Sequence, residues 1–405
     1  MAFFSCFHES LHLRGIGMLY FDYAATTPPY DEVVDTVAEV MRTHYGNPSS
    51  LHRLGVDAEA LIERARQAIA QTIGASAADI LFTGSGTESN NLAIFGALRR
   101  NGNIGRHIIT TAIEHASVYE TFQRLEADGF RVTYLPVDET GQIRMKTLEA
   151  SLSEDTALVS VMYVNNEMGR IQPVAQIGEL LRSYPKALFH VDAVQAYGKL
   201  AVRPKELGID LMSCSAHKLR GPKGTGFLYC RSGLELEPLL RGGGQERGVR
   251  SGTENVPAIV GMAKAARLAD ERRETFLEQT RMLRKILVQG ISQIPELQIN
   301  GSKHEEDMAS HIVHFSYPGM KSEVVVHALE QHGVFVSSRS ACSSRETVPS
   351  RVLTAMGCDR EHAISGLRIS YGLEHSVQDA EMLLSALKRV VMQLSGTTGQ
   401  RNRRR

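Results

Sequence analysis

Two periodicities divide the chain. Between residues 58 and 265, short continuous apolar runs alternate with stretches whose apolar positions recur every three to four residues. Ala58 to Ile73 carries apolar residues at 61, 62, 65, 69 and 73, which predicts an amphipathic helix. Ile80 to Phe82, His107 to Thr111, Phe130 to Leu135, Ala157 to Tyr163, Ala187 to Val191, Leu211 to Cys214 and Gly226 to Tyr229 read as strands. Helices are predicted over Asn91 to Leu98, Ser117 to Ala127 and Ile177 to Arg182. Strands apolar throughout, with helices between them, predict a mostly parallel sheet covered on both faces.

Pro257 to about Gln289 predicts one long helix or two abutting ones, a bridge to a second unit. Beyond Leu297 the order changes. Strands at Ile312 to Phe315, Val334 to Val336 and Leu367 to Ser370 mix with helices at Glu323 to Gln331, Arg351 to Met356 and Val377 to Leu394. Ser376 with Asp379 three residues later is a start signal for the last of these. There is no repeat and no low-complexity segment.

Charge removes some function classes. The chain has 405 residues, with Lys+Arg 45 and Asp+Glu 45, so no global field favours nucleic acid or an anionic membrane. No apolar run reaches the ~18 residues of a membrane span. Five cysteines at 6, 214, 230, 342 and 358 are odd in number and widely spaced. A reducing, cytoplasmic compartment is expected. Residues 1–18 have no basic start and are broken by His8, Glu9, His12 and Arg14; they are expected to be a non-native or disordered extension, with Met18 the true start. Residues 396–405 are expected to be a disordered basic tail.

Polar residues cluster after the strands, where open parallel sheets bind ligands. Thr83-Gly84-Ser85-Gly86-Thr87-Glu88-Ser89 follows the first strand and opens a helix. That suits a phosphate, and equally an ordinary strand-to-helix turn. Glu114-His115, Asn165-Asn166-Glu167, Asp192 with Gln195, and Ser215-Ala216-His217-Lys218 follow the other strands. Each alone is explained by packing or capping; together they are not. A lysine for an aldehyde, an aspartate for a pyridinium nitrogen, a histidine to stack on a ring and a phosphate turn fit pyridoxal 5'-phosphate. No nucleotide P-loop and no His-Glu-x-x-His are present, and no metal site is expected. His311 and His314 would face opposite sides of a strand.

At these residues the chain resembles the cysteine desulfurases of the NifS/IscS type, from about Tyr20 to Leu394. The resemblance is carried by Phe21-Asp22-Tyr23-Ala24-Ala25-Thr26-Thr27-Pro28, Gly46-Asn47-Pro48-Ser49-Ser50, Gly86-Thr87-Glu88-Ser89, Val164-Asn165-Asn166-Glu167-Met168-Gly169 and Ser215-Ala216-His217-Lys218. Gly242-Gly243-Gly244-Gln245-Glu246-Arg247, Arg250-Ser251-Gly252-Thr253-Glu254-Asn255 and Ser340-Ala341-Cys342-Ser343-Ser344 narrow it to desulfurases. It implies an α/β, aminotransferase-like fold: a large unit (27–270) with a mostly parallel seven-stranded sheet, and a smaller α+β unit (19–26 and 271–395) carrying the cysteine loop at about 335–348. It implies that Lys218 forms the Schiff base and moves the Cα proton. His115 would stack on the ring, Asp192 bind the pyridine nitrogen and Gln195 the phenolic oxygen. Gly86, Thr87, Ser215 and His217 would hold the phosphate, with Thr253 given by the partner of a homodimer. Asn47, Asn166 and Arg368 would hold the L-cysteine substrate, Arg368 through its carboxylate.

Departures from the family are the order of Gly84 and Ser85, and Cys214 at an aliphatic position, expected to be a small buried hydrophobe. Cys342 lies in a small, polar, basic stretch, expected to be a mobile exposed loop, with Arg339 and Arg345 favouring its thiolate. The resemblance implies that it takes the substrate's sulfur as a persulfide and passes it to an acceptor, an iron–sulfur scaffold or a tRNA-thiolating enzyme. It is also a candidate transient iron–sulfur ligand. The alternatives are another enzyme of the same fold, a selenocysteine lyase or aminotransferase, and a scaffold without turnover.

Overall fold

The computed structural model describes residues 18–100, 105–338 and 349–402, the last seven as backbone alone. Residues 1–17, the cysteine loop from 339 to 348 and the tail from 403 lie outside the described residues.

The chain opens with strand β1 (Leu19–Tyr20), then helices α1 (Asp31–Thr43) and α2 (Arg53–Ile73). There follow β2 (Ile80–Thr83), α3 (Gly86–Arg100), β3 (His107–Thr111), α4 (Ala116–Ala127) and β4 (Arg131–Leu135). Then come α5 (Met145–Ser151), β5 (Thr156–Met162), α6 (Val174–Leu181), β6 (Leu188–Asp192), β7 (Leu211–Ser215) and β8 (Gly226–Cys230). These strands form one seven-stranded sheet in the order β2-β8-β7-β6-β5-β3-β4. The run from β7 to β4 is parallel, while β8 runs antiparallel to both its neighbours. Strands β2, β3, β5, β6, β7 and β8 are buried along their whole length. That is why they read as continuous apolar runs. Where a polar residue enters the sheet, it is paired sideways. His190 on β6 bonds Ser160 on β5 at 2.8 Å and Ser213 on β7 at 3.0 Å, and burial pushes its imidazole down to about 3.

One face of this sheet packs on α1, α2 and α7 (Val256–Glu271), through Val33, Ile62, Ile69, Ile259 and Met262. The opposite face packs on α3 and α4, through Leu92, Ala93, Val118 and Phe122. Helix α8 (Arg273–Ser292) follows α7 directly; of the one long helix or two abutting ones expected, the structure shows two, meeting at Arg272, whose φ and ψ are −99° and 5°. A separate group of buried side chains joins α8 (Leu283, Leu287) to β10 (Ile312–Ser316), α9 (Ser322–Glu330), β12 (Gly366–Ser370) and α12 (Val377–Asn402). Strand β10 pairs antiparallel with β12 and with the short β9 (Gln298–Ile299). Strand β1 pairs with β11 (Val334–Phe335), so Leu19 and Tyr20 are held against the last third of the chain. The short helices α10 (Arg351–Ala355) and α11 (Arg360–Ala363) precede β12.

Two expectations need correcting. The last helix does not stop near Leu394. Its backbone continues to Asn402, so residues 396–402 are helical where a disordered tail was expected. Once a helix is nucleated and packed, each added residue gains a hydrogen bond at little further entropic cost. Helices α1 and α5 were also absent from the sequence reading. Helix α1 carries Val33, Val34, Val37, Val40 and Met41 at helical spacing, a signal open to the sequence, whereas α5 buries only Leu148 and shows no period. Among the described residues, no helix is long and apolar enough to cross a membrane.

Candidate active site

The chain adds β3 and β4 on one side of the sheet and β5, β6 and β7 on the other. The strand order therefore reverses between β3 and β5, which leaves a crevice beyond their carboxyl ends. A cavity of about 200 Å³ occupies it. Its wall is made by residues that leave each strand: His115 after β3, Asn166 after β5, Asp192 and Gln195 at β6, and Ser215, His217 and Lys218 at β7. Gly86 and Thr87, at the start of α3, and Arg368, from β12, complete it.

Lys218 Nζ donates to the main-chain carbonyls of Ala24 and Ala25, both at 2.6 Å. Asp192 is buried, and each of its oxygens has a donor: Val194 N–H at 3.0 Å on Oδ1 and Asn90 Nδ2 at 2.8 Å on Oδ2. Asn90 also reaches Ser117 Oγ at 2.9 Å, which lies 2.8 Å from Nδ1 of His115. The backbone N–H of Ser117 donates to the same Nδ1 at 3.2 Å. This makes His115 the cap of α4 as well as a wall of the cavity. Burial pushes the His115 imidazole down, partly against the pull of Asp192, and it holds His217 at about 4. Both rings are neutral near pH 7. Arg368 is 1% exposed; it donates to Asn166 O at 2.7 Å and to Asp22 Oδ1 at 2.8 Å.

Four buried polar atoms around this cavity have no partner among the described residues: Asn90 Oδ1, Gln195 Oε1, Ser215 Oγ and Arg368 Nε. An unpaired buried polar atom costs about 1–3 kcal/mol, so four around one hole indicate a polar ligand. Gly86 adds a steric argument. A Cβ there would come within 2.7 Å of Val194 Cγ2 and 3.4 Å of Ser215 Cβ, so the backbone approaches its neighbours as only glycine can. The open N-terminus of α3 beside it, with the Thr87 and Ser215 hydroxyls, suits a phosphate. Asp192 opposite suits a protonated ring nitrogen, and Lys218 an aldehyde. The residues present fit pyridoxal phosphate.

The structure brings together Gly86, Thr87, His115, Asn166, Asp192, Gln195, Ser215, His217, Lys218 and Arg368. It does not bring Asn47 or Thr253 to the same cavity. Asn47 sits in an exposed turn, its Oδ1 accepting from Ser49 N–H at 2.9 Å. Thr253 lines a second cavity, of about 220 Å³, with Gly84 and Arg250. Cys342 lies outside the described residues, but both flanks of its segment end at the cavity's supports. Ser337 pairs with the backbone of Arg368 at 2.8 and 3.2 Å, and Ser350 Oγ donates to Glu167 Oε2 at 2.6 Å.

Sequence reasoning missed Asn90, although it lies one helical turn past Gly86, on the same face. It also missed Arg351 and Lys199, and it named Glu114 beside His115 without giving it a role. Arg351 donates to the carbonyls of Ala112 and Glu114 and stacks over Tyr119 at 3.8 Å, which pins the strap that carries His115. No local pattern announces a partner more than 230 residues away. Cys214 is fully buried in the core, as its reading as a small hydrophobe requires, and burial pushes its thiol well up.

Comparison with known proteins places these features in a family. Residues 19–383 match the aminotransferase class-V family. A NifS/IcsS protein homologue of Lactobacillus delbrueckii subsp. bulgaricus is 42% identical over 381 residues, 93% of this chain and 98% of that protein. The cysteine desulfurase IscS of Clostridium botulinum is 40% identical over 376 residues, 93% of this chain and 94% of its own length. Among solved structures, a NifS-like protein aligns with a TM-score of 0.87 at 37% identity, covering 93% of this chain and 99% of its own.

Proposed function

The chain belongs to the aminotransferase class-V family, and from that membership and the cavity at Lys218 we infer a pyridoxal phosphate-dependent cysteine desulfurase, converting L-cysteine to L-alanine. The observation that carries this reading is the meeting of Lys218, Asp192, His115 and Arg368 around one hole with unpaired polar walls. When bound, the cofactor supplies an aldehyde for an amine and a ring that takes up electrons from the substrate Cα. The rest falls to the chain. Gly86, Thr87, Ser215 and His217 would hold the phosphate, and Asp192, fixed by Asn90, the ring nitrogen. Gln195 would donate its amide N–H to the ring's oxygen, and His115 would cover the ring face. Arg368, helped by Asn166, would grip the substrate carboxylate by two charged hydrogen bonds. Lys218 Nζ takes the proton from Cα and returns one. The neutral His115 imidazole stands to accept the proton of the substrate thiol.

Cys342 then attacks the substrate sulfur as a thiolate. An S–S bond forms and the Cβ–S bond breaks. The bond's electron pair stays with Cβ, which takes a proton and completes alanine, while the oxidised sulfur remains on Cys342 as a persulfide. An iron–sulfur scaffold or a tRNA-thiolating enzyme is the acceptor this chemistry suits, and pull-down by the persulfidated protein distinguishes them. The division into 27–270 and 19–26 with 271–395 is supported by the separate buried groups on the large sheet and around β10 and β12. A cytoplasmic site is supported by the described cysteines, 214, 230 and 358, all free. A homodimer is supported by Thr253 and Asn47 standing away from their own chain's cavity.

Purified protein given L-cysteine and a reductant should release alanine and sulfide in equal amounts. Cys342→Ala should keep the cofactor's colour and release neither. Colourless protein that refuses added cofactor, or full activity in the variant, overturns the reading.

A further inference from the structure

Lys199 is a buried lysine that the chemistry above does not use. It is 7% exposed and lies seven residues after the end of β6. Its Nζ donates to the main-chain carbonyl of Gln195 at 3.4 Å. The side chain of Gln195 donates to Ala24 O at 2.9 Å, and Lys218 Nζ donates to that same oxygen at 2.6 Å. The two lysines thus hold opposite ends of one short bridge. They also share the wall of a third, smaller cavity of about 40 Å³, with Gly198, Ala269 and Phe276 among its apolar lining.

Among the described residues, no carboxylate lines the cavity that this amine shares with Lys218. Besides Lys218, the shared cavity is lined by Arg220 and Arg272, which pair with Glu374 and Glu32, and by Tyr23, Tyr30 and Tyr371. The nearby His217 and His311 are imidazoles lowered chiefly by burial, and the charge of Lys199 lowers both further. Burial, and then the charge of Lys218, pushes the Lys199 amine down to about 7. Repulsion is mutual: a proton on either amine disfavours a proton on the other.

On the reading of Lys218 as the lysine that bonds the cofactor, we propose that Lys199 is a positioning residue whose charge, set behind Lys218, keeps the Lys218 nitrogen unprotonated. An unprotonated nitrogen is what bonds an aldehyde and what removes a proton from Cα. A second amine in a dry site supplies that bias without touching the substrate. It also leaves the cavity itself free of an additional cation.

The test is a pH titration of the visible absorption of the full-length holoprotein, which reports the protonation of the Lys218 nitrogen. Lys199→Met and Lys199→Gln remove the charge and should move the midpoint up by about one unit. Lys199→Arg makes the charge permanent and should move it down. The expected order is Arg below wild type and both neutral variants above it. If one neutral variant fails to fold, the other and the arginine variant still give the order. Coincident midpoints, or neutral and arginine variants shifting in the same direction, would overturn the proposal, since packing damage has no such sign. A wild-type protein without any visible band would instead sink the assignment of the cofactor site.

Discussion

Glu114 is a carboxylic acid that burial keeps protonated. It is 1% exposed; its Oε1 accepts from Thr111 Oγ1 at 2.7 Å and Met162 N–H at 3.0 Å, while Oε2 has no partner among the described residues. Burial, with Asp192 adding repulsion, pushes the group up to about 8. In the unfolded chain it ionises near 4.3. Below that value both states hold the proton and nothing is lost. From there to about 8 only the folded state holds it, so stability falls as pH rises, by ~1.4 kcal/mol per unit. By pH 7 the loss is about 4 kcal/mol. Glu114→Gln should therefore melt higher than wild type, with a gap that widens from pH 5 to pH 8. Thermal melts at the two values decide it, and a gap independent of pH would rule this account out. Single residues were legible in the sequence where the chemistry demanded a type at a strand end, as with Lys218 and Asp192. They were not where the role is to hold another residue, as with Asn90 on Asp192 or Arg351 on the strap before His115. Such partners are chosen by the fold, and the chain distance between them carries no signal.

At the scale of elements, close approach decides what each helix tolerates. Gly178, in α6, lies against the turn before β7, and a Cβ there would meet Leu207 O at 1.9 Å. Backbone cannot rotate away as a side chain can. Gly290, in α8, would meet Leu384 Cδ1 at 2.4 Å, the far end of a flexible side chain. Gly178→Ala should therefore destabilise by ~3 kcal/mol. Gly290→Ala should be near neutral, since alanine's better helix propensity offsets the crowding. Denaturant midpoints of the two variants check the contrast, and equal losses would refute it. Strands were legible because each buried strand is apolar on both faces. The direction of β8 was not, because an antiparallel strand buried on both sides has the same composition as a parallel one. The option of two abutting helices for α7 and α8 was legible, but not their meeting at Arg272, since no glycine or proline marks the place.

For the whole molecule, one stretch of surface bears on the proposed homodimer. From the end of α1 into α2, Met41, Tyr45, Leu51, Leu54 and Val56 are exposed by 63, 74, 98, 43 and 52%. Five large apolar side chains within sixteen positions make a patch that isolated soluble chains rarely present. Asn47 lies in its middle. A segment that the substrate reading requires near a cavity, yet which stands away from its own, is what a second copy would supply. The same holds for Thr253 beside Gly84. Leu51→Asp and Tyr45→Asp each place a charge in that patch and touch nothing in the Lys218 cavity. If the patch joins two copies, both variants should sediment as monomers where wild type sediments as a dimer. Both should also lose cofactor and activity together, at least tenfold in cofactor affinity, since one hydrogen bond to a phosphate is worth about 1.5–3 kcal/mol. Raising protein concentration should restore part of each, because assembly follows mass action. Variants that remain dimeric, or monomers that hold cofactor as tightly as wild type, would mean that each cavity is complete within its own chain.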